Sequence, residues 1–355
     1  MLQFHHNSLA TSKMIVHQIF DKCVHDLEIN GGYALLPLSE LQSSSNNAIS
    51  NAFDTARCAF DDIECGDDCS GDGALMPLID PSSDSGGWTG YHKASHLNGR
   101  YNQHRQGFVF SNGEFFNLHS NVDFESDMKQ FFHFSHDVVA SGVLRAIERR
   151  LELPDCYFDN ELGPTDNSSQ WHLKQYQVDE LDEHSNDTPP LSQQHDQKVL
   201  LPMHTDPSLI SVVIIDSPGV NKGGKGLEVF QANSSEDAVP NDCKTKHSRG
   251  IWKAIPHHGR DVAIIFVGSV LSYLTKGQVF SAMKHRVVDD CKDDINDRMA
   301  ATLFVRPQPG AYMKTLPSKY IEHGGASSTK LPPTFRVWNA RVAKNYMKKK
   351  KKQKG

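Results

Sequence analysis

A mainly β fold with flanking helices is predicted by two features of the chain. From about residue 170 onward, eight short runs of β-forming residues follow one another between turn signals, the pattern of an all-β sandwich or barrel. The segments on either side carry helical periodicity instead. At 355 residues, with 38% hydrophobic and 23% charged residues, the chain can bury a sizeable core, and it is expected to fold as a soluble protein.

In chain order, Gly31-Gly32 reads as a turn into a strand over YALL, residues 41 to 60 have helical spacing, and 61 to 87, rich in Asp, Ser and Gly, read as a loop. Met128, Phe131, Phe132, Val139, Val143 and Ile147 predict a long helix over 124 to 151, ending before Pro154. The eight β-like runs are WHLKQY, KVLLPMH, LISVVIID, GLEVF, GIWKAI, DVAIIFVG, KHRVV and MAATLFV. An acidic loop over 179 to 196 and a polar loop over 231 to 248 interrupt them. Thr334, after Pro332-Pro333, is the expected N-cap of a final helix whose stripe of Phe335, Trp338, Val342 and Tyr346 should pack back on the body. The chain thus divides into an N-terminal mixed α/β region (1–165), a β core (166–312) and a C-terminal helix with a basic tail (313–355).

Several classes are disfavoured. No apolar run approaches the roughly 20 residues that span a bilayer, and the first residues lack the apolar stretch of a secretory signal. The seven cysteines are odd in number and scattered, which fits reduced thiols and a cytoplasmic location. Cys65 and Cys69 form a C-x3-C with no second pair at finger spacing, so an exposed loop is expected there rather than a zinc site. Net charge is -6, yet residues 341 to 355 carry eight basic residues and no acid. The acidic remainder argues against nucleic acid as the main partner. The lysine run from Lys348 to Lys352 reads as a solvated tail, with nuclear import as the functional alternative.

The pattern that carries chemistry is His204-Thr205-Asp206, the sole H-x-D among 19 histidines. It lies where the run KVLLPM ends. In extended backbone, residues i and i+2 share a face, so imidazole and carboxylate converge. A surface pair is the bland alternative. His285, in the strand-like KHRVV, offers a third ligand, and two histidines with one carboxylate make the facial triad of non-heme Fe(II) oxygenases. The same donors also suit zinc.

Around this triad the sequence resembles the plant-type 2-oxoglutarate/Fe(II)-dependent dioxygenase superfamily, the isopenicillin N synthase-like group. The resemblance rests on ordered motifs: HTD from His204, GLEV from Gly226, GIWKAIP from Gly250, GSVL from Gly268, FSAMKHRV from Phe280, and RMA from Arg298 into TLFVRP. It covers about residues 170 to 310, and the first 150 residues match only through GGYALL and the long helix before LELP. The resemblance implies a double-stranded β-helix (jelly roll) core with His204, Asp206 and His285 as iron ligands. It further implies Arg298 as partner of the distal carboxylate of 2-oxoglutarate, helped by Tyr176. Lys174 stands where the family usually has asparagine, and Ala300 replaces a serine two residues after the arginine; Thr302 is the candidate for the missing hydroxyl.

The implied activity is oxygenation of a small organic molecule by O2, with release of succinate and CO2. Fe(II) and 2-oxoglutarate are the implied cofactors, and ascorbate is a candidate reductant. Asp206 argues against halogenation, because halogenating relatives lack the carboxylate. Two other readings stand beside this one: an iron oxidase that does not use 2-oxoglutarate, and a non-catalytic jelly-roll binding protein.

Overall fold

The computed structural model describes residues 2–41, 46–65, 87–89, 105–111, 114–115, 123–166, 168–176, 199–216, 226–232, 250–256, 259–288, 298–322 and 331–352. Side chains are described over most of these, except at 2–13, 46, 62–65, 87–89 and 346–352. Two antiparallel sheets form the centre. The larger contains β1 (Tyr33–Pro37), β2 (Gly87–Thr89), β3 (Arg105–Ser111), β4 (Gln170–Tyr176), β6 (Ile210–Asp216), β9 (Val262–Val267) and β11 (Arg298–Val305), in the order β1-β9-β6-β11-β4-β3-β2. The smaller contains β5 (Val199–His204), β7 (Leu227–Ala232), β8 (Gly250–Ala254) and β10 (His285–Val288), in the order β5-β10-β7-β8. All eight runs expected as strands are strands.

The helices are α1 (Leu2–Ile29), α2 (Asn46–Cys65), α3 (Phe124–His133), α4 (Ser141–Leu151), α5 (Tyr157–Leu162), α6 (Ser269–Leu274) and α7 (Phe335–Lys352). The expected long helix over 124 to 151 is continuous but not uniform: Phe134–Ala140, between α3 and α4, is π-helical. There His136 stacks on Phe132, with ring centroids 5.5 Å apart, and its Nε2 lies 3.0 Å from Thr165 Oγ1. Such wide turns re-aim side chains within a helix.

Residues of the large sheet alternate between two cores. Val212, Ile214, Ala263, Ile265, Ala301 and Leu303 point outward to the helices. Val213, Ile215, Ile264, Phe266, Ala300 and Tyr176 point inward to the small sheet, where they meet Leu200, Leu227, Val229 and Val287. The outer layer is held by aromatic contacts: Phe60 on α2 stacks on Phe108 of β3 at 4.4 Å, and Phe131 on α3 meets Trp171 of β4 edge-on at 5.1 Å. Each such fully buried side chain contributes about 1.5–3 kcal/mol. Both faces of these strands are therefore apolar.

Three expectations are corrected. The helix expected over 41 to 60 is described from Asn46 and continues to Cys65, so the loop expected to begin at 61 starts no earlier than 66. Arg105, which sits with His92, Lys93 and Arg100 in a polar stretch that reads as solvated loop, is buried at the start of β3, a strand the sequence did not suggest. Of the stripe expected to anchor the last helix, Phe335 and Trp338 are buried, Val342 is exposed, and the Tyr346 side chain lies outside the described residues. Cys69, the loop over 179 to 196 and nearly all of that over 231 to 248 also lie outside them.

Candidate active site

The site lies in the cleft between the two sheets. One wall is set by the β5–β10 pairing. His204 ends β5, His285 begins β10, and the two stand directly opposite in the register. Cross-strand partners share a face, so their rings lie 4.3 Å apart. Phe266 of the large sheet stacks against His285 from behind, nearly parallel at 4.6 Å.

Asp206 follows the end of β5, and its backbone is clamped by the start of α6. The carbonyl oxygen of Asp206 accepts hydrogen bonds from the Ser269 N–H at 2.7 Å and the Ser269 hydroxyl at 2.9 Å. This contact explains the glycine of GSVL. A Cβ on Gly268 would lie 2.0 Å from the Ser208 carbonyl oxygen, so only glycine lets the two segments approach this closely.

Each imidazole is oriented through Nδ1, which donates to a backbone carbonyl: His204 to Pro202 at 2.8 Å, His285 to Met283 at 3.2 Å. In the neutral ring the Nε2 lone pairs are then free. These point to one place: His204 Nε2 and His285 Nε2 lie 3.5 and 3.7 Å from Asp206 Oδ1, too far for good hydrogen bonds. Ligand atoms of the three residues all fall within 4.8 Å of one another. Burial, and then the neighbouring His285, push His204 down to about 4, so it is neutral at physiological pH. Burial would push the Asp206 carboxyl up, but His285, His204 and a hydrogen bond from Ser211 outweigh it and hold Asp206 below the usual carboxylate range. Two lone-pair nitrogens and an ionised carboxylate converging on one point form a donor set for a divalent first-row metal.

The opposite end of the cleft belongs to the large sheet. Arg298 begins β11 directly across from Tyr176, the last residue of β4, and its guanidinium lies over that ring at 5.4 Å. The arginine is buried, and its Nε has no hydrogen-bond partner among the described residues. Burial of the charge disfavours it, and an anion in the cleft would remove that cost. Gly226 of GLEV makes the room. Its φ is +124°, and a Cβ there would lie 2.4 Å from an Arg298 terminal nitrogen.

Between the two ends, Lys174, Ala300, Thr302 and Phe304 line the large-sheet wall, while Leu201, Leu227 and Val287 line the other. All six residues singled out in the sequence therefore sit in one cleft: His204, Asp206 and His285 at one end, Arg298 and Tyr176 at the other, Thr302 along the wall. Lys174, which the sequence showed only as a departure from a family pattern, is also in the wall. The apolar lining was hidden from sequence reading, because each of those residues looks like an ordinary core position. Of the polar stretch around 92 to 105, only Arg105 is described; it lies opposite Tyr176 on the side away from Arg298.

A scan against protein-family models and a search of curated proteins gave no match. Solved structures do match. A full-length Neurospora crassa protein, crystallised in complex with alpha-KG, superposes with a TM-score of 0.63 at 15% identity, covering 92% of this chain and 90% of that one. JOX2 in complex with 2OG, Fe and JA gives 0.56 at 12% identity, covering 90% and 80%. The dioxygenase for auxin oxidation 1 from Arabidopsis thaliana, bound to 2-oxoglutarate, gives 0.52 at 14% identity, covering 86% and 94%. The chain has the jelly-roll fold of the 2-oxoglutarate/Fe(II) oxygenases.

Proposed function

We propose that this protein is an Fe(II)/2-oxoglutarate-dependent dioxygenase that hydroxylates a small organic molecule. The observation that carries the reading is the pairing, across one cleft, of a His204–Asp206–His285 donor cluster with a buried arginine whose charge lacks an anion among the described residues. His204 and His285 would hold the metal through Nε2, with Nδ1 already committed to Pro202 and Met283. Asp206 would supply the anionic ligand. The Arg298 fork suits a carboxylate, and Tyr176 braces it from the ring face. When bound, Fe(II) and 2-oxoglutarate supply O2 activation coupled to loss of CO2 and formation of succinate. The apolar wall of Leu201, Val213, Leu227, Phe266 and Val287 excludes water from that chemistry.

Related folds crystallised with thymine, 5-formyluracil or JA support a small-molecule substrate. No helix among the described residues is long and apolar enough to cross a membrane. The cytoplasmic location and the use of ascorbate as reductant belong to the proposal on the strength of the sequence alone.

Anaerobic titration of the Fe(II)-loaded protein with 2-oxoglutarate tests the reading. A metal-to-ligand charge-transfer band that saturates with cosubstrate is expected. Iron binding without such a band at millimolar 2-oxoglutarate would favour an oxidase that does not use it. Failure to retain iron would favour a non-catalytic binding protein.

A further inference from the structure

A buried histidine on the cleft face of the large sheet has no task in the proposed function. His172 stands in β4 between Thr302 of β11 and Val109 of β3. Alternate residues of a strand share a face, so its ring lies on the same side as Lys174 and Tyr176, which line the cleft. Neither its Nδ1 nor its Nε2 has a hydrogen-bond partner among the described residues. A histidine that serves only the core keeps at least one such partner, because unmet buried polar atoms are costly. Both nitrogens of His172 are left for a ligand.

The surroundings give the sign of that ligand. The His172 ring meets Phe304 edge-on at 4.9 Å, and the Arg306 guanidinium lies 5.7 Å from the centre of the same ring. Burial first, then Lys174, Arg306 and Arg105, push His172 far down, so it is neutral. The charges acting on it are all cations, and no carboxylate is among them. An anion is the ligand such a field favours. The place is also distinct from that of the cosubstrate. Ser211 of β6 hydrogen-bonds Asp206, and Arg298 lies at the far end of β11, so the proposed cosubstrate runs along β6 and β11. His172 is on β4, two strands from β6, about 10 Å to the side.

We infer that the substrate is a small organic acid whose carboxylate is held by His172, in the positive field of Arg306 and Arg105, beside the metal end of the cleft. This rests on the function proposed above and narrows its substrate class. One nitrogen of the neutral imidazole carries a proton and donates it in a hydrogen bond to a carboxylate oxygen. The apolar neighbours Val109 and Phe304 suit the single charge of a carboxylate better than the double charge of a phosphate. The carbon that reacts is then several bonds from the carboxylate, because it must reach across the sheet to the triad.

The experiment compares phenylacetate, 3-phenylpropanoate and 4-phenylbutanoate, each with its primary amide and with the phosphonate of the same length. They are titrated by calorimetry into the anaerobic Fe(II) protein saturated with 2-oxoglutarate, and a shift of the charge-transfer band is the second readout. At least one acid should bind tenfold or more tighter than its amide. His172→Phe, which keeps a ring against Phe304, should remove that preference and leave amide binding, 2-oxoglutarate affinity and thermal melting at wild-type values. His172→Gln returns an N–H donor and should restore most of the preference; if His172→Phe does not fold, His172→Leu takes its place. Acids that bind no better than their amides, or not at all, would overturn the inference. So would a preference that survives in His172→Phe, a phosphonate tighter than its carboxylate, or an acid that abolishes the band by displacing 2-oxoglutarate. All of these leave the proposed function intact. If the wild-type protein forms no charge-transfer band, the proposed function fails and the inference with it.

Discussion

Arg298 and Thr302 face the same cleft two rows apart, yet their removal should have very different consequences. Losing one partner of a buried charged pair costs roughly 3–5 kcal/mol, whereas a neutral hydrogen bond contributes nearer ~1 kcal/mol. Arg298→Ala should therefore weaken 2-oxoglutarate about a hundredfold or more, and Thr302→Val by less than about tenfold, both read by anaerobic titration. The candidate metal ligands give a sharper test. His285→Ala leaves His204 and Asp206 as a two-donor remnant and should lose most of its iron on dialysis while keeping its far-ultraviolet circular dichroism. Stoichiometric iron in that variant would sink the assignment of the triad. At this scale the sequence was informative because His204 and Asp206 are two residues apart and their convergence is local. Lys174 was less legible, since only the fold brings it into the cleft wall.

Among the secondary-structure elements, the β6 end shows how the helical layer is tied to the sheet. Asp216 accepts hydrogen bonds from Arg57 of α2 at 2.6 Å and from the Arg260 Nε at 2.7 Å, and Arg260 also reaches Asp54 at 2.7 Å. Burial would raise the Asp216 carboxyl, but the bonds from Arg260 and Arg57 outweigh it and hold it below the usual range. A depressed folded-state pKa gives stability that is fully present above the unfolded value of about 3.9 and is lost as the pH falls through the folded value. Asp216→Asn should thus lower stability by about 1–3 kcal/mol at neutral pH. The gap to wild type should close as acid protonates the carboxylate, which urea unfolding across that range will show. A gap independent of pH would mean that packing, not charge, links α2 to the sheet. The runs of β-forming residues were visible in the sequence; this link was not, because 159 residues separate Arg57 from Asp216.

For the whole molecule, the large sheet separates two cores, one under the helices and one against the small sheet that carries the triad. Among the described side chains, the last helix meets the first of these through Phe335 and Trp338 of its first turns. Phe335 and Trp338 are buried, Trp338 lies 5.5 Å from Tyr273 of α6, and the Phe335 N–H donates to the Ala311 carbonyl at 2.8 Å. Truncation after Met347 should therefore leave the melting temperature and 2-oxoglutarate binding at wild-type levels. Truncation before Phe335 should lower the melting temperature, because it uncovers the apolar surface under Phe335 and Trp338. Loss of binding in the shorter deletion, with the fold kept, would assign the lysine run a role at the site.

The sequence by itself determined the order of the eight strands after about residue 170 and, through a local spacing, the convergence of His204 with Asp206. His285 and Arg298 were singled out with the help of the resemblance to a known family. Only the tertiary structure decided which face each strand residue occupies, because strands such as LISVVIID are apolar on both faces and carry no polar alternation to read. It also decided the register that sets His204 against His285 and the burial of Arg105. Each of these depends on pairing between segments far apart in the chain, where no local pattern records which partner will arrive.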